Sequence, residues 1–291
     1  MSLKVQSRFE VRNATPEDFA TAVRWARDEG WNPGVGDLEA FFAADPSGFL
    51  MGFADERPVS SISVVRYGED HGFLGFYIVH PEARGRGYGM ATWEAGMAYL
   101  ADRTVGLDGV VAQQDNYKRS GFRLVGRNIR FTGVPKLPEA RKSAVMIGKA
   151  RVEHAGQIET FDRECFGAPR PDFLRSWVFA APDAARTTLV AFDDGDLVGF
   201  ATIRRCVAGC KIGPLFAHTQ QAAEALFGAC CTEAEPGDEI TLDVPETNRQ
   251  AMTMAKNAGL EPVFETARMY RGSAPDLPWP KIFGVTSFEL G

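Results

Sequence analysis

A chain of 291 residues exceeds what one compact core usually holds, and 45% hydrophobic with 24% charged residues is the composition of an ordinary soluble globular protein. The formal net charge of −6 argues against a protein whose main task is to bind nucleic acid or an anionic membrane surface, and favours small amine-bearing partners. No run approaches the roughly 18 apolar residues of a membrane span, and the opening MSLKVQSRFE carries charges where a leader would need its apolar segment, so a cytoplasmic location is expected. The five cysteines, Cys165, Cys206, Cys210, Cys230 and Cys231, form no CxxC pair and have no histidine at zinc-ligand spacing, so buried free thiols and no metal are expected.

In chain order, NATPEDFATAVRWARDEG predicts a helix: Thr15 can cap it, Pro16 suits the first helical position, and Phe19, Val23 and Ala26 recur at helical spacing until Gly30. GFLMGFADERPVSSISVVRYG predicts a hairpin turning at Asp55 to Pro58, and GFLGFYIV adds a third antiparallel strand. A glycine-rich turn, HPEARGRGYG, follows. Ala91 to Leu100 then reads as a helix with Met90, Trp93, Met97 and Leu100 on one side. A strand at GLDGVVA, a short helix at NYKRS and a strand at FRLVGRNIRF complete an α+β layer.

The stretch from Gly133 to Gly148 holds two prolines, several charges and little periodicity, and reads as a linker. Beyond it the plan returns: a hairpin in TTLVAFDDGDLVGFATIRR, a strand at CKIGPLFA, a helix at TQQAAEALFGACC and a strand at EITLDV before a last helix and strand. The expected organisation is residues 1–133, linker 134–148, a second copy 149–272, and a segment 273–291. That last segment is too rich in proline and apolar residues to be a loose tail, and is expected to pack on a domain.

Between a strand and a helix, Arg84, Gly85, Arg86, Gly87, Tyr88 and Gly89 can turn backbone N–H groups inward, because glycine removes the Cβ barrier to unusual dihedrals. The helix N-terminus adds partial positive charge and the arginines add whole charges, so the expected ligand is a phosphate or pyrophosphate. A P-loop would need Lys-Ser or Lys-Thr after its last glycine, where Met90 and Ala91 stand; a dinucleotide fingerprint would need GxGxxG in a parallel βαβ unit. Neither fits.

On these residues the sequence resembles the GNAT acetyltransferases. Their pyrophosphate loop, (Gln or Arg)-x-x-Gly-x-(Gly or Ala) after a strand ending Val-x-Pro, is matched by Val79, Pro81, Arg84, Gly87 and Gly89, and their Tyr-x-x-x-Gly-Phe element by YKRSGF, Tyr117 to Phe122. The second half resembles the same fold in degenerate form: Asn248, Ala251 and Gly259 keep the spacing, but Ala255 replaces the tyrosine and AHTQQAAEA has no glycine turn. The resemblance implies two tandem GNAT-like domains, each a mixed, mostly antiparallel sheet flanked by helices, with only the first competent.

It further implies an acetyl-CoA-dependent N-acetyltransferase in which the amine of a small molecule attacks the thioester directly. The backbone at Ile78 and Val79 would hold the acetyl-pantetheine arm and Tyr117 would protonate the departing thiolate. The asparagine usually found eleven residues before Gly121 is Val110 here. Asn116, beside the tyrosine, is the remaining candidate for a pantetheine contact. Lys118 or Arg119 would approach the 3′-phosphate, or belong to a solvated strand face.

For the proton of the amine, Glu69, Asp70 and His71 are candidates. In the acceptor region DEGWNPGVGD, Trp31 and Asn32, with Asp37, are candidate substrate contacts, and a packed Asn-Pro-Gly turn is the alternative. A homodimer is compatible with this reading, and nucleic acid, membrane and metal have no place in it. A protein N-acetyltransferase and a non-catalytic acyl-CoA sensor remain alternatives.

Overall fold

The computed structural model describes residues 8–137, 145–180 and 185–291; part of the linker predicted at 134–148, and the first seven residues of the opening segment, lie outside the described residues. In the first half β1 (Phe9–Asn13), α1 (Pro16–Asp28) and α2 (Asp37–Ala44) precede the antiparallel strands β2 (Phe49–Ala54), β3 (Arg57–Tyr67) and β4 (His71–Val79), followed by α3 (Tyr88–Leu100), β5 (Thr104–Val110), α4 (Gln114–Arg119) and β6 (Arg123–Gly133). The second half repeats the order. It runs β7 (Met146–Lys149), α5 (Ala155–Phe166), α6 (Pro171–Val178), β8 (Arg186–Asp193), β9 (Asp196–Arg205), β10 (Cys210–Ala217), α7 (Gln220–Thr232), β11 (Ile240–Pro245), α8 (Arg249–Asn257), β12 (Glu261–Arg271) and a short β13 (Ile282–Gly284). Among the described residues no helix is long and apolar enough to cross a membrane.

Local chemistry accounts for the elements. Thr15 accepts from the Asp18 N–H at 3.2 Å while its own N–H reaches the Asp18 carboxylate at 3.3 Å, a complete capping box for α1. The two hairpins turn through left-handed pairs, Asp55 and Glu56 (φ 48° and 63°) and Asp194 and Gly195 (φ 48° and 91°), the geometry whose twist matches that of paired strands. In α3 the packed residues are Thr92, Trp93, Gly96 and Leu100; Met90, predicted on that side, is 60% exposed. At the end of the acceptor region α2 begins at Asp37, a helix that periodicity does not reveal.

All the strands join one sheet in the order β1-β2-β3-β4-β5-β12-β6-β11-β10-β9-β8-β7, with β13 attached to β10. The order is the same read from either end once the corresponding strands of the halves are matched. Its centre is an exchange: β12 lies between β5 and β6, and β6 between β12 and β11, all antiparallel. Each half therefore completes its sheet with the other's last long strand. Beneath it an aromatic core runs across the junction, where Phe41 of α2 stacks on Trp177 of α6 at 5.9 Å and 7°.

Each half also contains a wedge. The parallel ladder between β4 and β5 runs only from His71–Leu74 against Thr104–Leu107, and that between β10 and β11 only from Cys210–Ile212 against Ile240–Leu242. Past those points the strands part. In the second half the gap is filled by the chain itself: β13 pairs with β10 at Leu215 and Phe216, and the Val285 N–H donates to Asp243 O of β11 at 2.9 Å. Gly284 allows this seat, since a Cβ there would stand 2.7 Å from Leu242 Cδ1. Among the described residues no strand enters the wedge of the first half.

Candidate active site

The open wedge widens into a cavity of about 760 Å³. Leu74 to Val79 of β4 form one wall and Leu107 to Val110 of β5 the other, with Trp93 and Tyr117 also lining it. β4 bends here: its register against β3 shifts between Ser61 and Ser63, Phe76 takes φ 44°, and the Ser61 hydroxyl donates to Phe76 O at 2.8 Å. A positive φ at an aromatic residue is strained, and such strain persists where surrounding structure fixes it.

The loop predicted to hold phosphate bridges β4 and α3. Gly85 (φ 77°) and Gly87 (φ 85°) occupy left-handed dihedrals with open space where a Cβ would stand, so conformation rather than crowding requires glycine. Gly89 is different: a Cβ there would lie 2.9 Å from Val79 Cγ2, so the helix start presses on the strand. α3 begins with no side-chain cap and no acidic residue in its first turn. Arg84 donates to Val79 O at 3.0 Å and to the Glu29 carboxylate at 2.5 Å. Arg84 and Met90 line the cavity, the residues between them do not, and Arg86 is exposed.

Tyr117 is buried, with its ring stacked on Trp93 at 5.8 Å, and burial pushes its phenol up to about 12. Tyr77, packed edge-on against Trp93 at 5.3 Å, is also pushed up by burial. Asn116 lines the cavity with its amide engaged by Gln113 and Arg119, both also in the lining; Lys118 pairs instead with Asp115 at 3.0 Å on the surface. Ile78 and Val79 stand where the wedge opens.

The remaining predicted residues separate. Trp31 lines the cavity, and its carbonyl accepts from Arg130 Nη1 at 3.1 Å and Lys211 Nζ at 2.9 Å. Asn32 does not line it: its side chain exchanges two hydrogen bonds with the Ala208 backbone, at 2.8 and 2.9 Å. Asp37 is drawn to the second half, where Arg204 Nε donates to it at 3.1 Å. Glu69, Asp70 and His71 sit at the opposite end of β4, outside the cavity lining. Burial and the Arg268 guanidinium hold the His71 imidazole down at about 4.

Among the lining groups that the sequence does not single out as site residues are Asp108, Arg130, Phe288 and Glu289. The Asp108 side chain is fully buried and accepts from Arg268 at 2.5 and 3.0 Å and from Asn128 at 2.7 Å. Arg130 grips Asp243 with two bonds at 2.7 and 2.8 Å. Phe288 and Glu289 belong to the terminal segment, which continues past β13 into the first half. Arg170, itself clamped on Asp162, fixes that segment by donating to Thr286 Oγ1 at 2.7 Å and Gly291 O at 3.2 Å. The apolar character of this segment was the available signal. Among the described residues no group of three or more His, Cys, Asp and Glu is placed to hold a metal ion.

Paired wedges, each at the carboxyl ends of two parting parallel strands, and a glycine loop opening a helix beside one of them define a tandem acyl-transfer fold. Comparison with known proteins agrees. Residues 11–122 match the acetyltransferase (GNAT) family and residues 158–284 a further acetyltransferase (GNAT) domain. A holothin acyltransferase of Pseudoalteromonas sp. (strain SANK 73390) is 32% identical over 278 residues, covering 96% of this chain and 93% of that protein. A solved protein of Pyrococcus horikoshii superposes over 100% of this chain and 98% of its own with a TM-score of 0.81 at 22% identity. A tandem GNAT protein from the clavulanic acid biosynthesis pathway does so over 92% and 100%, with a TM-score of 0.62 at 14% identity. The chain belongs to the GNAT acyltransferases, with two such domains in tandem.

Proposed function

We propose that the first-half wedge binds acetyl-CoA and that the protein transfers the acetyl group to an amine of a small molecule, both held together in one complex. The observation that carries this reading is the convergence on one cavity of an unladdered strand pair and a buried phenol, with Arg84 and Met90, the residues on either side of the glycine loop, in the same lining. The name of the holothin acyltransferase supports a small acceptor.

In this reading the pyrophosphate rests on the N–H groups of the loop from Gly85 to Gly89, with Arg84 and Arg86 adding positive charge. The acetyl-pantetheine arm lies along Ile78 and Val79, within reach of Asn116. Trp31 flanks the acceptor, and Asn32 acts indirectly by pinning the acceptor loop to Ala208. Alignment of amine and thioester in one site is worth an effective concentration on the order of 10⁵ M or more. Tyr117 supplies the proton for the leaving thiolate: its raised affinity keeps the proton in place at neutral pH, and a thiolate forming in the same apolar slot is itself made more basic.

Calorimetric titration with acetyl-CoA, followed by an assay of CoA release with a panel of primary amines, tests the reading. One site per chain is expected, lost in Gly87→Leu. Undisturbed binding in that variant would remove the loop from the site, and absence of heat in the wild type would remove acetyl-CoA.

A further inference from the structure

The acidic residues lining the main cavity are not equivalent. Asp108 is saturated by Arg268, Asn128 and Thr266, and Glu29 is held by Arg84. Glu289 is 7% exposed, and among the described residues its carboxylate has neither a hydrogen bond nor an ion pair. The cations around it, Arg130, Arg204 and Lys211, act on it by charge alone and direct their hydrogen bonds elsewhere, to Asp243, Asp37 and the Trp31 carbonyl. A buried carboxylate with free lone pairs costs stability unless a ligand supplies the missing donor.

Its position indicates which ligand. Glu289 lines the main cavity and also a second one of about 260 Å³ between the loop at Pro33 to Leu38 and the second half, where Asp37, Arg204 and Lys211 are its charged neighbours. Among the described residues only Phe76, the strained residue of β4, shares both linings with it. Backbone contact fixes the placement: a Cβ on Gly75 would stand 2.1 Å from Glu289 O, and the Ser63 hydroxyl donates to that oxygen at 3.4 Å. The carboxylate therefore stands where the bend of β4 separates the two chambers.

We propose that Glu289 is the general base of the reaction, receiving the proton that the acceptor amine loses as it attacks from the side of the second cavity. This rests on the acyl-transfer reading of the wedge. The step balances. The nitrogen lone pair forms the C–N bond, the C–S pair leaves with sulfur, sulfur takes the Tyr117 proton, and the proton expelled from nitrogen goes to a Glu289 oxygen, returning through solvent to Tyr117.

The test compares wild type, Glu289→Gln and Glu289→Asp with acetyl-CoA and the primary-amine panel, reading kcat by CoA release and acetyl-CoA affinity by calorimetry. Glu289→Gln, which keeps shape and removes the base, is expected to lower kcat by roughly 10²-fold or more with acetyl-CoA affinity within about twofold. Glu289→Asp, a displaced base, is expected to recover part of that loss. Wild-type kcat in Glu289→Gln, or a Gln variant as fast as the Asp variant, would overturn the assignment while leaving acyl transfer intact. A wild-type protein that binds acetyl-CoA and acetylates none of the amines would overturn the acyl-transfer reading, and the base with it.

Discussion

Arg268 and Asp108 meet through two hydrogen bonds, 3.0 Å from Nε and 2.5 Å from Nη2, across 160 positions of sequence. The pair fastens β12, which comes from the second half, to the cavity wall made by β5. Removing the guanidinium leaves a fully buried carboxylate with, among the described residues, only Asn128 and Thr266 as donors. Arg268→Ala is expected to cost about 3–5 kcal/mol, measured by urea unfolding, with a matching loss of acetyl-CoA affinity as the wall loosens.

Tyr117→Phe should leave the fold in place, because stacking on Trp93 uses the ring and not the hydroxyl. The rate should fall roughly 10²- to 10⁴-fold. Since burial pushes the phenol up to about 12, its acid form persists below that pH, and the Tyr117-dependent rate should show no alkaline decline between pH 8 and 10. A pH–rate profile of both proteins checks this; a wild-type decline centred near 10 that vanishes in the variant would contradict it.

His71 predicts acid sensitivity of the fold. It is buried against Phe166 and Tyr270, its Nε2 has no hydrogen-bond partner among the described residues, and it is held down at about 4. Between pH 6.5 and 4 the unfolded chain therefore binds a proton that the folded one refuses. Stability contributed by the neutral imidazole is present above 6.5 and is lost as pH falls, on the order of 3 kcal/mol by pH 4. Urea midpoints from pH 7 to 4 should show this slope, and His71→Phe should flatten it.

The seat of β13 predicts a separable effect. A valine at 284 would drive a methyl group into Leu242, an overpacking cost of about 1–3 kcal/mol. Because the segment downstream carries Phe288 and Glu289 into the first half, turnover by Gly284→Val should fall while acetyl-CoA still binds. Equal losses of turnover and binding would show that the segment shapes the donor side instead.

The structure encoded locally was legible. The cap at Thr15, the tight turns, the glycine loop and YKRSGF each state their structure within a few residues. What was not legible depends on partners far away. The segments of β6 and β12 read as sheet strands, and nothing in either says which neighbour it will take. Asn32, read as a candidate contact for an amine, bonds to Ala208, 176 positions away. The candidates Glu69, Asp70 and His71 start the strand, whereas a wedge between parallel strands opens at their carboxyl ends. Glu289 stood in SFELG as one acid in an apolar run, with no local reason to be turned inward.

The exchange of β6 and β12 has a consequence for assembly. When synthesis has reached Gly133, β5 and β6 exist but the strand that belongs between them is still more than a hundred residues away. The first half must wait with two long strand edges open, and such edges invite pairing with other chains. Residues 8–137 produced alone should thus aggregate, and closure of the sheet should be slow and late, because its central pairings are among the most distant in the chain.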